Sequence, residues 1–173
     1  MVCTLLGGVA ACAGTPDGEP ATAPTASRPT GPPIAFSFEA LDGTQLTGAS
    51  MRGRITVIGF AATYDTASHA QARFLNGIFR RHVPRINAAL IVLEPPTNRP
   101  MIEAFTQALK LGYPVALADA ATIAGQGPFA GLHHVPSIVI LDREGREAYR
   151  HIGLIEGDPL EAAVVKVEAE NPL

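Results

Sequence analysis

Three side chains in one short segment, Tyr64-Asp65-Thr66-Ala67-Ser68-His69, could do chemistry. A hydroxyl, an imidazole and a carboxylate are the parts of a nucleophilic site. Asp65 and His69 also stand one helical turn apart, a spacing that can put two metal ligands on one face. Both readings are weak. Ser68 needs a base within reach, and His69, the next residue, points about 100° away around a helix. A metal set of Asp65, His69 and His134 musters only three donors from two segments, at the lower limit of the three or four a robust site uses. The plainer reading makes Asp65 a helix cap, Ser68 a first-turn residue, His69 a surface histidine and His134 a loop residue, with no metal and no cofactor. His133 and His134 are neighbours, so in an extended segment they point to opposite sides. The only two thiols are Cys3 and Cys12, and none occurs from Ala13 to Leu173.

These residues need a scaffold, and the chain supplies alternating patterns. Ile34–Phe38 is apolar at every second position, as a strand is, and Leu41-Asp42-Gly43 makes a turn. Ile55–Phe60 and Ala88–Leu93 are short apolar runs that suit buried strands. Between them Thr66–Val83 carries Ala70, Phe74, Leu75, Ile78 and Phe79 at helical spacing. Pro100–Leu111 is a second helix, with Pro100 in its first turn and Gly112 as the glycine beyond its end. Val115–Leu117 is a short strand, and Asp119–Leu132 is a Gly-rich connection with room for a helical turn. Gly125-Gln126-Gly127-Pro128 within it lacks the pattern of a phosphate loop. Ser137–Asp142 and Glu147–Ile152 form a hairpin about Arg143–Arg146. Asp158 caps a last helix that has Pro159 in its first turn. Arg80-Arg81-His82, with Arg85, is read as a solvated basic helix end complementing the helix dipole, with contact to an anionic lipid or an acidic partner as the alternative.

The sequence is 173 residues long, 47% apolar, with net charge −3 and no basic block, so nucleic acid is not an expected partner. Residues 1–11 are apolar and rich in small residues, and Val9-Ala10-Ala11-Cys12 resembles a bacterial lipobox, although no Lys or Arg precedes Arg28. That resemblance implies cleavage before Cys12 and acylation of its thiol. It puts the protein on the membrane of a bacterial envelope, facing the periplasm. Ala13 after the cysteine favours the outer membrane. Ala13–Pro33 is dense in Pro, Thr, Ala and Gly, too poor in large apolar residues to fold, and reads as a tether over residues 12–33. Residues 34–173 form the folded domain.

Three separated segments resemble thioredoxin-like proteins of the TlpA/ResA and redoxin type. Ile34–Arg54 is similar to the family's opening segment. Val57–Ser68, VIGFAATYDTAS, is similar to its apolar strand followed by F-W-A-T-W-C-x-x-C. Residues 134–145, HVPSIVILDREG, are similar to G-V-P-T-x-F-L-I-D-x-x-G, whose proline is cis. The resemblance implies an α/β thioredoxin-like fold: a central mixed sheet with helices on both faces and an N-terminal β extension. It places Asp65 and Ser68 where the two catalytic cysteines stand, and Tyr64 in place of the second Trp.

Thiol–disulfide exchange needs a thiolate and a resolving thiol. Asp65-Thr66-Ala67-Ser68 offers neither, and loss of Cys3 with acylation of Cys12 would leave the mature chain without a free thiol. The expectation is a redox-inactive module whose Tyr64, Val135, Pro136 and Ala61–Thr63 form an apolar shelf. There, by the family's habit, the backbone before the proline pairs with an extended segment of an envelope protein or peptide. The family name itself implies a thiol-disulfide oxidoreductase, and a purely structural spacer is the third reading.

Overall fold

The computed structural model describes residues 31–172; Cys3, Cys12 and the signal-like segment, with nearly all of the tether, lie outside them. Seven strands form one mixed sheet. They are β1 (Ser37–Ala40), β2 (Gln45–Thr47), β3 (Ile55–Ala61), β4 (Ile86–Val92), β5 (Val115–Leu117), β6 (Ser137–Leu141) and β7 (Glu147–Ile152), in the order β2-β1-β5-β4-β3-β6-β7. β3 is interior, parallel to β4 from Ile55↔Ile86 to Ala61↔Val92 and antiparallel to β6. Every residue of β3 is buried, which is why it reads as an unbroken apolar run.

The helices are α1 (Thr66–His82), α2 (Arg99–Leu109), α3 (Ala120–Ile123) and α4 (Gly157–Glu170), with a 3-10 turn at Pro96–Asn98. One sheet face, with Val57, Leu90 and Ile138, packs against Leu75 and Ile78 of α1, Ile102 and Phe105 of α2, and Leu160 and Val164 of α4. The other face, with Phe38, Ile58, Phe60, Ile91 and Val139, is covered by Phe36, Phe129 and Leu132 and by the short α3. Helices therefore flank both faces, although the second has a single turn and aromatic loop residues where the first has three full helices. Gly59 lets the layers meet closely: a Cβ there would stand 2.8 Å from Leu90 Cδ1 and 3.3 Å from Leu75 Cδ2.

Several local expectations are corrected. The first strand starts at Ser37, because Ile34 is held instead by its N–H to the Gly145 carbonyl at 2.8 Å. β2 was not anticipated. The left-handed residue ending α2 is Lys110 (φ 50°), not Gly112. Asn76 of α1 accounts for this: its Nδ2 donates to Lys110 O at 3.2 Å and its Oδ1 accepts from Gly112 N at 2.9 Å. α4 is capped by Glu156 without a side-chain bond, so Asp158 lies inside the first turn. The Arg80–His82 end is not simply solvated. His82 is buried with Nε2 3.0 Å from Glu161 Oε1, and Arg81 meets Glu161 at 2.6 Å. His133 and His134 do not diverge: the chain bends there and their ring centroids lie 4.1 Å apart.

Candidate functional site

β3 ends at Ala61, the chain turns, and α1 begins at Thr66. Asp65 is the N-cap: its Oδ2 accepts from Ser68 N at 2.7 Å and from Ser68 Oγ at 2.6 Å. The Ser68 hydroxyl in turn accepts from Ala62 N at 3.2 Å and is fully buried. Asp65 and Ser68 thus occupy one another, and the Ser68 hydroxyl, fully buried, is out of a substrate's reach. His69 turns away from both. Its Nε2–H donates to Thr63 O at 2.7 Å, and its ring meets Phe105 edge-on with centroids 4.8 Å apart. It is half-buried rather than a surface histidine. The structure does not gather Asp65, His69 and His134 into a ligand set: among the described residues no group of three or more His, Cys, Asp or Glu could hold a metal ion.

A buried carboxylate that sequence reasoning missed holds the turn. Glu94, just beyond β4, accepts from Thr63 N and, through Oε2, from Asn98 Nδ2 at 2.8 Å. β4 runs parallel beside β3, so its end reaches the same edge as the Ala62–Asp65 turn. The signal was a lone Glu straight after an apolar run and before Pro95-Pro96.

The facing loop leaves the same edge, because β6 pairs antiparallel with β3, Ser137 opposite Phe60. The Val135–Pro136 and Val83–Pro84 peptide bonds are cis. Ser137 Oγ donates to His134 O at 2.7 Å, and Pro136 O accepts from Gly153 N at 2.9 Å. Between these two anchored carbonyls, neither the N–H nor the C=O of Val135 has a hydrogen-bond partner among the described residues. Tyr64 is 78% exposed and Val135 half-buried. Pro136, Ala61 and Ala62 are buried, packed under the turn rather than on its surface, so they do not line the expected shelf. Its other exposed apolar members are Ile152 (53%) and Leu154 (43%), which flank Gly153 and so lie beside Pro136. Beneath them Gln71 of α1, also buried, accepts from Ile155 N at 2.9 Å.

No protein-family model matches the sequence, and no curated protein does either. Solved structures do match. A thioredoxin-family thiol:disulfide interchange protein from Chlorobium tepidum superposes with TM-score 0.69 at 20% identity, covering 82% of this chain and 97% of its own. A secreted Mycobacterium tuberculosis disulfide oxidoreductase, homologous to DsbE of E. coli, gives 0.65 at 17% over 77% and 96%. StoA from Bacillus subtilis gives 0.62 at 16% over 76% and 96%. A mixed sheet with β3 between parallel β4 and antiparallel β6, a helix opening at Asp65 and these neighbours together make the chain a protein of thioredoxin-like fold.

Proposed function

We propose that this chain is a redox-inactive thioredoxin-like module of the bacterial envelope that binds an extended peptide or protein segment at the Tyr64–Val135 surface. The observation that carries the reading is the unpaired backbone of Val135 between anchored neighbours, at the same sheet end as the exposed ring of Tyr64 and beside the turn of Ile152 and Leu154. A free donor and acceptor on one residue can pair with an incoming strand, and the apolar flank supplies contact for its side chains. Asp65 and Ser68 keep the helix start closed and supply no thiol. Secretion of the M. tuberculosis neighbour supports an extracytoplasmic setting. No described helix is long and apolar enough to cross a membrane, and the anchor in this reading is the acylated Cys12.

The test is a titration of envelope-derived peptides followed by amide NMR. Binding moves the Tyr64 and Val135 signals first, and a panel that leaves both in place overturns the reading. The oxidoreductase alternative draws on the names of the structural neighbours. An insulin-reduction assay separates the two, since turnover by the unaltered protein is incompatible with a redox-inactive module.

A further inference from the structure

At the opposite end of β3 the chain gathers arginines. Arg54 precedes Ile55 and Arg85 precedes Ile86, and Ile55 pairs with Ile86, so the two arginines start adjacent strands. Arg52 and Arg54, with Ser50, Gly53 and Asn87, line an open recess of about 290 Å³ that contains no acidic residue. Arg52, Arg54 and Arg85 are exposed and meet no carboxylate among the described residues. Arg143 is held at the edge of the cluster by Asn171 O and Gly53 O. The nearest acids are otherwise engaged. Glu144 pairs with Arg146, and Glu168, near the end of α4, lies 3.8 Å from His82 Nδ1, the ring nitrogen that Arg85 Nη2 meets at 3.4 Å.

This is also where the N-terminal segment joins the domain. Ile34 is bonded to Gly145, a glycine with φ +85°, and a Cβ on Gly145 would lie 3.7 Å from Arg52 Nε and 3.9 Å from Pro33 Cβ. Arg52 and the incoming chain therefore flank the same residue. We infer that this arginine end is a docking surface for an anionic phospholipid bilayer, its recess taking headgroup phosphates where the tether meets the domain. Guanidinium forks suit phosphate oxygens, and each basic residue near an anionic leaflet strengthens partition about fivefold. Contact here turns the Tyr64–Val135 end, one strand length away, toward the envelope space. The biological setting rests on the anchored reading of residues 1–33, but the test does not.

The test uses the full chain with Cys12→Ser, so that no acylation occurs, sedimented with phosphatidylcholine vesicles with and without phosphatidylglycerol. Binding is expected to require the anionic lipid and to fall away between about 0.1 and 0.5 M salt. The triple variant Arg52→Gln, Arg54→Gln, Arg85→Gln is expected to lose partition about 100-fold, the product of three fivefold steps. Arg73→Gln, which removes the same charge from the groove between α1 and Gly157, is expected to change it less than twofold. Equal binding to neutral vesicles, undiminished binding of the triple variant, or an Arg73→Gln loss as large as any single arginine of the cluster overturns the inference. So does displacement by inorganic phosphate at matched ionic strength, which marks a free-anion site. Failure here leaves peptide docking and acylation standing; acylation is read separately by labelled palmitate on Cys12.

Discussion

Replacing Asp65 with alanine removes the acceptor for both Ser68 N and Ser68 Oγ, and Ser68 is buried. A lost cap costs about 1 kcal/mol, and a stranded buried hydroxyl adds about as much again. Urea unfolding of Asp65→Ala should therefore show a loss of about 2 kcal/mol, and Asp65→Asn a smaller one. The same two positions carry a sharper test of lineage. Cys at 65 sits at a helix N-terminus, which lowers a thiol's pKa, with Cys at 68 one turn on. The double variant Asp65→Cys, Ser68→Cys is expected to form an internal disulfide and to reduce insulin where the parent does not. The Asp65 cap was legible because capping is local: the acceptor and its amide lie three residues apart. Glu94 was not legible. Its partner Thr63 is thirty-one residues away, and nothing in a carboxylate after an apolar run says that it is buried. Glu94→Ala leaves the Thr63 amide without its acceptor, and a loss of about 1–3 kcal/mol in the same unfolding assay is expected.

At the scale of elements, α1 and α4 are joined by Glu161, which takes Arg81 at 2.6 Å and His82 at 3.0 Å. The hydrogen bond from Arg81, and after it that from His82, holds the Glu161 carboxyl down at about 2, against an ordinary 4.5. A carboxylate whose pKa is lowered by folding stabilises the folded state above its unfolded value and ceases to do so as pH falls through the folded one. The stability difference between the protein and Glu161→Gln is therefore expected to be full above about pH 5 and to vanish toward about pH 2 in acid titrations of unfolding. Gly59→Ala places a methyl 2.8 Å from Leu90 Cδ1 in the central layer. Overpacking of this kind costs about 1–3 kcal/mol, measurable as a lowered melting temperature. The order of strands and helices was legible from period and from run length, because β3, β4 and β6 are buried on both faces and read as apolar blocks. β2 escaped because Gln45-Leu46-Thr47 carries a single apolar residue, whereas the equally short β5 is apolar throughout. Its pairing, Phe38 opposite Leu46, is made by tertiary contact more than by pattern. The end of α2 was misplaced because a side chain of α1 decides it.

At the scale of the molecule, β3 separates the two ends for which peptide docking and bilayer docking are proposed. Seven residues of strand span roughly 20 Å, with Thr63 and Tyr64 beyond one end and Arg54 beyond the other. Sites that far apart act additively. The Arg52/Arg54/Arg85 variant is thus expected to bind peptide with unchanged affinity in the NMR titration, while Tyr64→Ala is expected to weaken peptide binding and leave vesicle partition alone. The thioredoxin-like fold was legible in three separated segments. The gathering of Arg52, Arg54 and Arg85 at one end was not, because it depends on which loops the topology brings together. The sheet's two outer margins bear on how such a protein lives at high density. β2 offers only three residues of unpaired backbone, and β7 carries Glu147, Arg150 and His151, with Arg150 Nε 2.6 Å from Glu147. Short or charged margins resist strand-to-strand addition between copies. Neighbouring copies crowded on one surface can therefore collide without polymerising, so a surface concentration that would drive a flat-edged sheet into fibrils leaves this one dispersed.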